Sequence, residues 1–269
     1  MDALLVAAEA AADAAATIVR PFFRAGVAAD RKADRSPVTI ADRSAEQAMR
    51  AVLRARFPEH GVLGEEFGLD RPDAPLRWVL DPIDGTRAFI SGRPIFGTLV
   101  ALLDRHRPIL GVIDQPMTRE RWIGAQGRTT RFSGPLGGRP GCRVCPAIAD
   151  AELSCTSPDM MVGVWPRWNR LGAAVQRTSW GGDCYAYGLL ALGHIDIVAE
   201  RDMKIWDWAA LVPVVEGAGG RITDWAGQPL RGDGDGSVLA VGDPALLPQA
   251  VALLNDPAVV SPGLADQAR

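Results

Sequence analysis

The sequence predicts a mixed α/β (α+β) protein of layered helices and sheets, and three observations predict it. The first half combines helical periodicity with a run of hairpin strands. The second half alternates strand and helix signals. Between them, residues 127–141 hold five glycines and two prolines, which reads as a crossing between halves. The expected units are residues 1–132, an α+β part carrying most of the candidate ligands, and residues 133–269, an α/β part.

Each element has its own signal. Met1 to Arg24 is Ala-rich, with Leu5, Ala8, Ala12 and Val19 on one helical face. Ala28 to Pro37 is polar and reads as a loop or hairpin. A helix from Arg43 to Phe57 follows, with Ala45, Ala48, Met49, Val52 and Leu53 at helical spacing. Asp42 stands at its expected N-cap, without a capping-box partner at Ala45. Val62 to Gly64 is a short strand, residues 67–77 a polar loop, and Trp78 to Leu80 a buried strand. Phe96 to Leu103, Ile109 to Asp114 and Glu120 to Gly124 read as an antiparallel meander. Beyond the crossing, strands are expected at Leu153 to Ser157, Arg177 to Trp180 and Ile195 to Ala199. Helices are expected at Trp165 to Val175 and Cys184 to Leu192. One helix is expected from Ile205 to Glu216, bent at Pro213. Strands near Arg221 to Thr223 and Val238 to Val241 precede a helix over Leu246 to Leu254.

Composition narrows the function classes. The chain has 269 residues, 48% hydrophobic, with 29 Lys plus Arg against 32 Asp plus Glu and a net charge of −3. That balance argues against nucleic-acid binding through a general basic field. No apolar run approaches the ~18 residues of a membrane span, so no membrane partner is expected. Asp2, Glu9 and Asp13 interrupt the N-terminal apolar stretch, which lacks a basic start and does not read as a signal peptide. A cytoplasmic location is expected. Cys142 and Cys145 form a C-x-x-C without a second ligand pair at zinc spacing, and Cys155 and Cys184 stand apart, which favours ordinary reduced thiols.

The chemistry concentrates in Trp78-Val79-Leu80-Asp81-Pro82-Ile83-Asp84-Gly85-Thr86. An apolar strand end delivers two carboxylates three positions apart, and Gly85-Thr86 opens a helix. Pro82 stiffens the turn, and Gly85 leaves room for a ligand. Free N–H groups at a helix start suit a phosphate. Two neighbouring carboxylates repel, and a hard cation such as Mg²⁺ relieves that. Asp42, Glu65 and Asp207 also stand at element junctions. The template motifs of serine hydrolases, P-loop proteins and HExxH zinc enzymes are absent.

With Gly64-Glu65-Glu66 before this motif, and Trp206-Asp207-Trp208-Ala209-Ala210 and Glu216-Gly217-Ala218-Gly219-Gly220 after it, the chain resembles the inositol monophosphatase family. Order and spacing match from about Arg31 to Gly220. The residues Arg87 to Gly92, Gly111 to Pro116 and Gly182 to Gly188 look most like its histidinol-phosphatase branch. The resemblance implies a five-layer αβαβα sandwich, a homodimer, and Mg²⁺-dependent hydrolysis of a small-molecule phosphate ester. It implies two or three Mg²⁺ ions per site and inhibition by Li⁺. Glu65, Asp81, Asp84, Asp207 and the carbonyl of Ile83 would be metal ligands, with Asp81 bridging. Thr86, partnered by Asp42, would orient the attacking water, with Glu65 also in the catalytic set. The N–H groups of Gly85 and Thr86 would receive the phosphate oxygens, Glu200 would contact the alcohol portion and Asp183 would be a second specificity position, with Arg87 and Asp207 also in the substrate-binding set. Trp180 and Tyr185 are candidates to line the pocket around an imidazole, or to be core. Histidinol phosphate is the expected substrate. The alternatives are an inositol phosphate, an adenosine bisphosphate, a sugar bisphosphate, or a regulatory binding protein that retains the fold.

Overall fold

The computed structural model describes residues 1–26, 30–31 and 37–256. The polar stretch from Ala28 to Pro37 therefore lies largely outside the described residues. Its ends, β1 (Asp30–Arg31) and β2 (Pro37–Val38), pair antiparallel.

Two long helices open the chain. Helix α1 (Asp2–Phe22) buries Leu5, Ala8, Ala12 and Val19, the face expected from the sequence. Its other buried positions are also alanines, so α2 (Ile40–Arg56) can lie close against it. Helix α2 starts earlier than its periodicity suggests. Thr39 is the N-cap and Asp42 occupies N3, where its carboxylate closes a capping box on Thr39. Asp42 is thus the box partner, not the cap.

The first sheet has the order β4-β3-β5-β6-β7-β8-β9. It is built from β3 (Gly61–Gly64), β4 (Gly68–Asp70), β5 (Leu76–Asp84), β6 (Gly97–Asp104), β7 (Arg107–Gln115), β8 (Glu120–Ala125) and β9 (Arg128–Ser133). Only β3 and β5 run parallel. Two segments read as loop carry strands. β4 lies within residues 67–77, and β9 takes the start of the expected crossing, pairing with β8. Helix α3 (Thr86–Ile90) follows β5.

The second sheet has the order β11-β10-β12-β14-β13. Its strands are β10 (Glu152–Cys155), β11 (Arg177–Trp180), β12 (Ile197–Glu200), β13 (Arg221–Thr223) and β14 (Val238–Val241). Parallel β10, β11 and β12 are joined through α4 (Trp165–Ala174) and α5 (Asp183–Ala191), as parallel pairing requires a crossover. The expected helix from Ile205 to Glu216 is two helices, α6 (Ile205–Trp208) and α7 (Leu211–Gly217). The cause is Pro213. It has no N–H for the Ala209 carbonyl four residues back, and its ring crowds that carbonyl. Helix α8 (Leu246–Asn255) ends the described chain.

Strand alternation sorts these elements into five layers. Trp78, Leu80, Val100 and Leu102 pack under α1 and α2. Their neighbours Val79, Leu99, Ala101 and Leu103 face α5 and α7. On the second sheet, Val198 and Ala240 join that middle core, while Ile197, Ala199, Leu239 and Val241 face α4 and α8. The order is helices, sheet, helices, sheet, helices. Gly111 and Gly124 let the middle helices lie on the first sheet: a methyl on either would overlap the backbone at Ala210 or Pro213. No helix among the described residues is long and apolar enough to cross a membrane.

Candidate metal and phosphate site

The site begins with an irregularity in β5. Asp81 pairs with Leu99 and Asp84 with Gly97, so three steps on β5 match two on β6. In a regular strand, residues three apart point to opposite faces. The extra residue cancels that, and both carboxylates turn to one side. The Thr98 hydroxyl donates to the Pro82 carbonyl at 2.8 Å, and the Ile83 N–H donates to Asp81 Oδ1 at 3.0 Å. Gly85 then turns the chain at φ 84°, and the Thr86 hydroxyl donates back to the Ile83 carbonyl at 3.1 Å.

Asp207 arrives from the first turn of α6, its Oδ2 accepting the Lys204 N–H at 2.7 Å. One oxygen each from Asp81, Asp84 and Asp207 lie within 4.8 Å of one another. Among the described residues this is the group of His, Cys, Asp and Glu placed to hold a metal. Glu65, on the turn from β3 to β4, lines the same cleft as Asp207.

That cleft has a volume of about 710 Å³. Glu65, Thr86 and Asp207 line it together with Trp180, Asp183 and Arg93. Asp183 is held in the left-handed region at φ 44°, with its N–H donating to Thr156 Oγ1 at 3.1 Å. It lies over Gly85, where an added Cβ would stand 2.6 Å from the Asp183 carboxyl carbon. Arg87 sits at the rim, mostly exposed and 3.6 Å from Asp159. Glu200 is buried beneath, accepting the Thr156 N–H and the Tyr187 hydroxyl, each at 2.8 Å.

The sequence profile of the inositol monophosphatase family matches residues 1–256. The chain belongs to the inositol monophosphatase family. It is 43% identical over 95% of its length to the bifunctional phosphatase IMPL2, chloroplastic, of Arabidopsis thaliana, covering 76% of that protein. It is 39% identical over 88% of its length to the histidinol-phosphatase of Mycobacterium tuberculosis, covering 92% of it. A solved structure of an inositol monophosphatase from Zymomonas mobilis superposes with a TM-score of 0.84 at 50% identity, over 92% of this chain and 96% of that one. As an inositol monophosphatase family member, the protein is a phosphoric monoester hydrolase of a metal-dependent family.

The donor set of this family phosphatase fits a hard divalent cation. Burial raises the pKa of Asp81 well above the usual carboxylate range, and Glu65, Asp84, Asp207 and Asp42 add to it. Burial also raises Asp84, reinforced by Asp183 and Asp207, against the Cys184 thiol and N–H that bond to it. The latter N–H lies 2.6 Å away. Asp207 is pushed to about 7, first by burial. These carboxylates are costly to ionise together unless a cation neutralises them. Their all-oxygen chemistry suits Mg²⁺ rather than a thiolate-seeking metal. The four cysteines are free thiols, and burial raises Cys142 to about 11, as for a structural residue.

One expectation changes and one open alternative closes. Asp42 does not partner Thr86. Its Oδ2 accepts the Thr39 hydroxyl at 2.6 Å and N–H at 2.8 Å, while the Thr86 hydroxyl turns to Ile83. The capping box claims the carboxylate. Tyr185 does not line the cleft. Its hydroxyl donates to Glu120 at 2.6 Å and its ring packs edge-on against Trp122. Sequence reasoning also missed a clamp behind Glu65. Fully buried Glu46 accepts the Glu66 N–H at 2.7 Å and the Arg50 Nε at 2.7 Å. It also accepts the Phe67 N–H at 3.3 Å. Gly64 makes room, since a methyl there would overlap the Glu46 carboxylate. The E-x-x-x-R spacing was the available signal, but it usually marks an exposed helix pair.

Proposed function

We propose that the protein is a Mg²⁺-dependent histidinol-phosphatase, releasing phosphate and L-histidinol. One observation carries the reading. Asp207, which clusters with Asp81 and Asp84, lines the same cleft as Asp183 and Trp180. A phosphate ester whose other end is a cationic amine and a flat ring satisfies both sets of residues. The histidinol-phosphatases among its relatives support the same substrate.

In this reading Glu65, Asp81, Asp84, Asp207 and the Ile83 carbonyl would hold two or three Mg²⁺ ions. Bound there, Mg²⁺ supplies Lewis-acid polarisation of the phosphoryl oxygens and acidifies water. The chain does the rest. The Thr86 hydroxyl, fixed on Ile83, keeps lone pairs free to accept from the attacking water. The N–H groups of Gly85 and Thr86 point the phosphate. Asp183 accepts the substrate ammonium. Glu200, with its oxygens taken by Thr156 and Tyr187, supports that part of the cleft from below and adds negative charge. Arg87 at the rim attracts the incoming dianion. Asp42 fixes the start of α2 and lends its field to Asp81. Inhibition by Li⁺, a homodimer and a reducing, cytoplasmic setting go with this reading; the four free thiols agree with the last.

Phosphate release from histidinol phosphate, inositol 1-phosphate, an adenosine bisphosphate and a sugar bisphosphate, with and without Mg²⁺, tests it. Histidinol phosphate should give the highest kcat/KM, and only with the metal. Equal or better hydrolysis of inositol phosphate removes the substrate assignment. That second reading is favoured by one observation, the 50% identity to a structure described as an inositol monophosphatase.

A further inference from the structure

Trp180 is an unusual residue to find open to solvent. It ends β11, the edge strand of the second sheet, and stays 42% exposed while lining the cleft. An indole left in water gives up a large hydrophobic gain unless something else holds it. Here the support comes from behind. Trp168 is buried, and its indole N–H donates to the Ala199 carbonyl at 3.0 Å, which fixes the ring. The Trp180 ring lies 4.7 Å from it, centroid to centroid. Trp165 packs alongside, 5.6 Å from Trp168 and 6.2 Å from Trp180. Three indoles in contact make one braced slab, with Trp180 as its cleft-side face.

The residues after Trp180 keep that face clear. Gly181 and Gly182 follow with φ of 92° and 134°, and carry the chain into α5 without a side chain. The next side chain is the Asp183 carboxylate, in the same cleft. A flat π surface and an acceptor thus line the cleft that Asp207 of the acidic cluster also lines. A saturated polyol offers the indole face only its C–H groups, a weak contact. A nitrogen heterocycle stacks on it, more strongly if cationic, and offers N–H groups to the carboxylate.

We infer that Trp180 is a specificity-determining residue: its indole, braced by Trp168, is the stacking platform for a heteroaromatic ring on the leaving-group side of the phosphate ester. The inference rests on the proposed phosphatase site and narrows its substrate class. It also explains why Asp183 alone does not define the alcohol side. A carboxylate selects charge, and the indole selects flatness.

Trp180→Leu keeps a smaller apolar side chain over Trp168 and removes the π face. Trp180→Phe keeps a smaller one. Both are compared with wild type in Mg²⁺, using histidinol phosphate, an adenosine bisphosphate and glycerol 2-phosphate. The ratio of kcat/KM for the preferred heteroaromatic ester over glycerol 2-phosphate should fall about tenfold in Trp180→Leu, through KM rather than kcat. Trp180→Phe should recover most of it. Equal losses on all esters would mean a structural role and overturn the inference, as would an unchanged ratio. If wild type prefers histidinol phosphate and the ratio does not move, the platform fails and the substrate assignment survives. If wild type prefers the adenosine bisphosphate and the ratio collapses for that ester, the assignment fails and the platform survives. A wild type that favours glycerol 2-phosphate overturns both.

Discussion

Asp84 is opposed by its own surroundings. It is half-buried, crowded by Asp183 and Asp207, and relieved by Cys184. Asp84→Asn should therefore split two properties. Hydrolysis should fall by at least about 100-fold and Mg²⁺ binding weaken, because a ligand is lost. The metal-free protein should melt higher, by roughly 2–4 °C for each kcal/mol of repulsion relieved. Phosphate release, calorimetric Mg²⁺ titration and melting in chelator check this. A biological activity that outlives hydrolysis in this variant would favour a regulatory binding role instead. The pH dependence follows from the same crowding. Asp42 is raised to about 6, and Asp183 and Asp207 to about 7, all first by burial. Unfolded Asp titrates near ~3.9. Between those limits the folded state binds more protons, so metal-free stability should fall as pH rises from 4 to 7, in ~2.303RT per proton per pH unit. Mg²⁺ needs the ionised forms, so its stabilisation should grow over the same range. Melting curves at pH 5 to 8, with chelator and with Mg²⁺, should diverge upward in pH.

Elements were legible where one local signal acted alone, and obscure where a distant contact decided. Asp81, Asp84 and Asp207 stand out because each follows or opens an element beside apolar residues. The start of α2 was hidden because Val38, Thr39 and Ile40 are β-branched, which weakens a helix signal, yet Ile40 sits on the outer face of the first helical turn. β9 was hidden because Arg128 to Ser133 is polar; it is a strand only because β8 pairs with it. The clamp behind Glu65 was invisible for the same reason, since Gly64 and Glu46 meet only in three dimensions. Gly64→Ala should cost about 1–3 kcal/mol by overpacking, seen in denaturant melts. Glu46→Gln should keep the fold while loosening the Glu66 and Phe67 amides. Its half-saturating Mg²⁺ should rise about 10- to 100-fold, read by calorimetry as well as turnover.

The whole molecule is held by its middle layer. Helices α5 and α7 share a core with both sheets, and α6 carries Asp207 against the first sheet. The five layers came from resemblance to a family rather than from periodicity, which gives faces but not stacking order. Because the middle core is common, unfolding should be one calorimetric transition, with or without metal. Mg²⁺ at about 100 times its dissociation constant should add about 2.7 kcal/mol and move that single peak upward. Two peaks, with Mg²⁺ shifting only one, would show that the sheets melt apart.

The acidic residues are unevenly spread along the chain. Glu65, Asp81 and Asp84 belong to the first sheet and its loops, and Asp207 comes more than a hundred residues later. A ribosome therefore finishes the sheet that displays three carboxylates well before it makes the fourth. With these carboxylates as the proposed ligands, a growing polypeptide would carry an incomplete ion trap, and hydrolytic competence would wait until α6 clears the exit tunnel and docks.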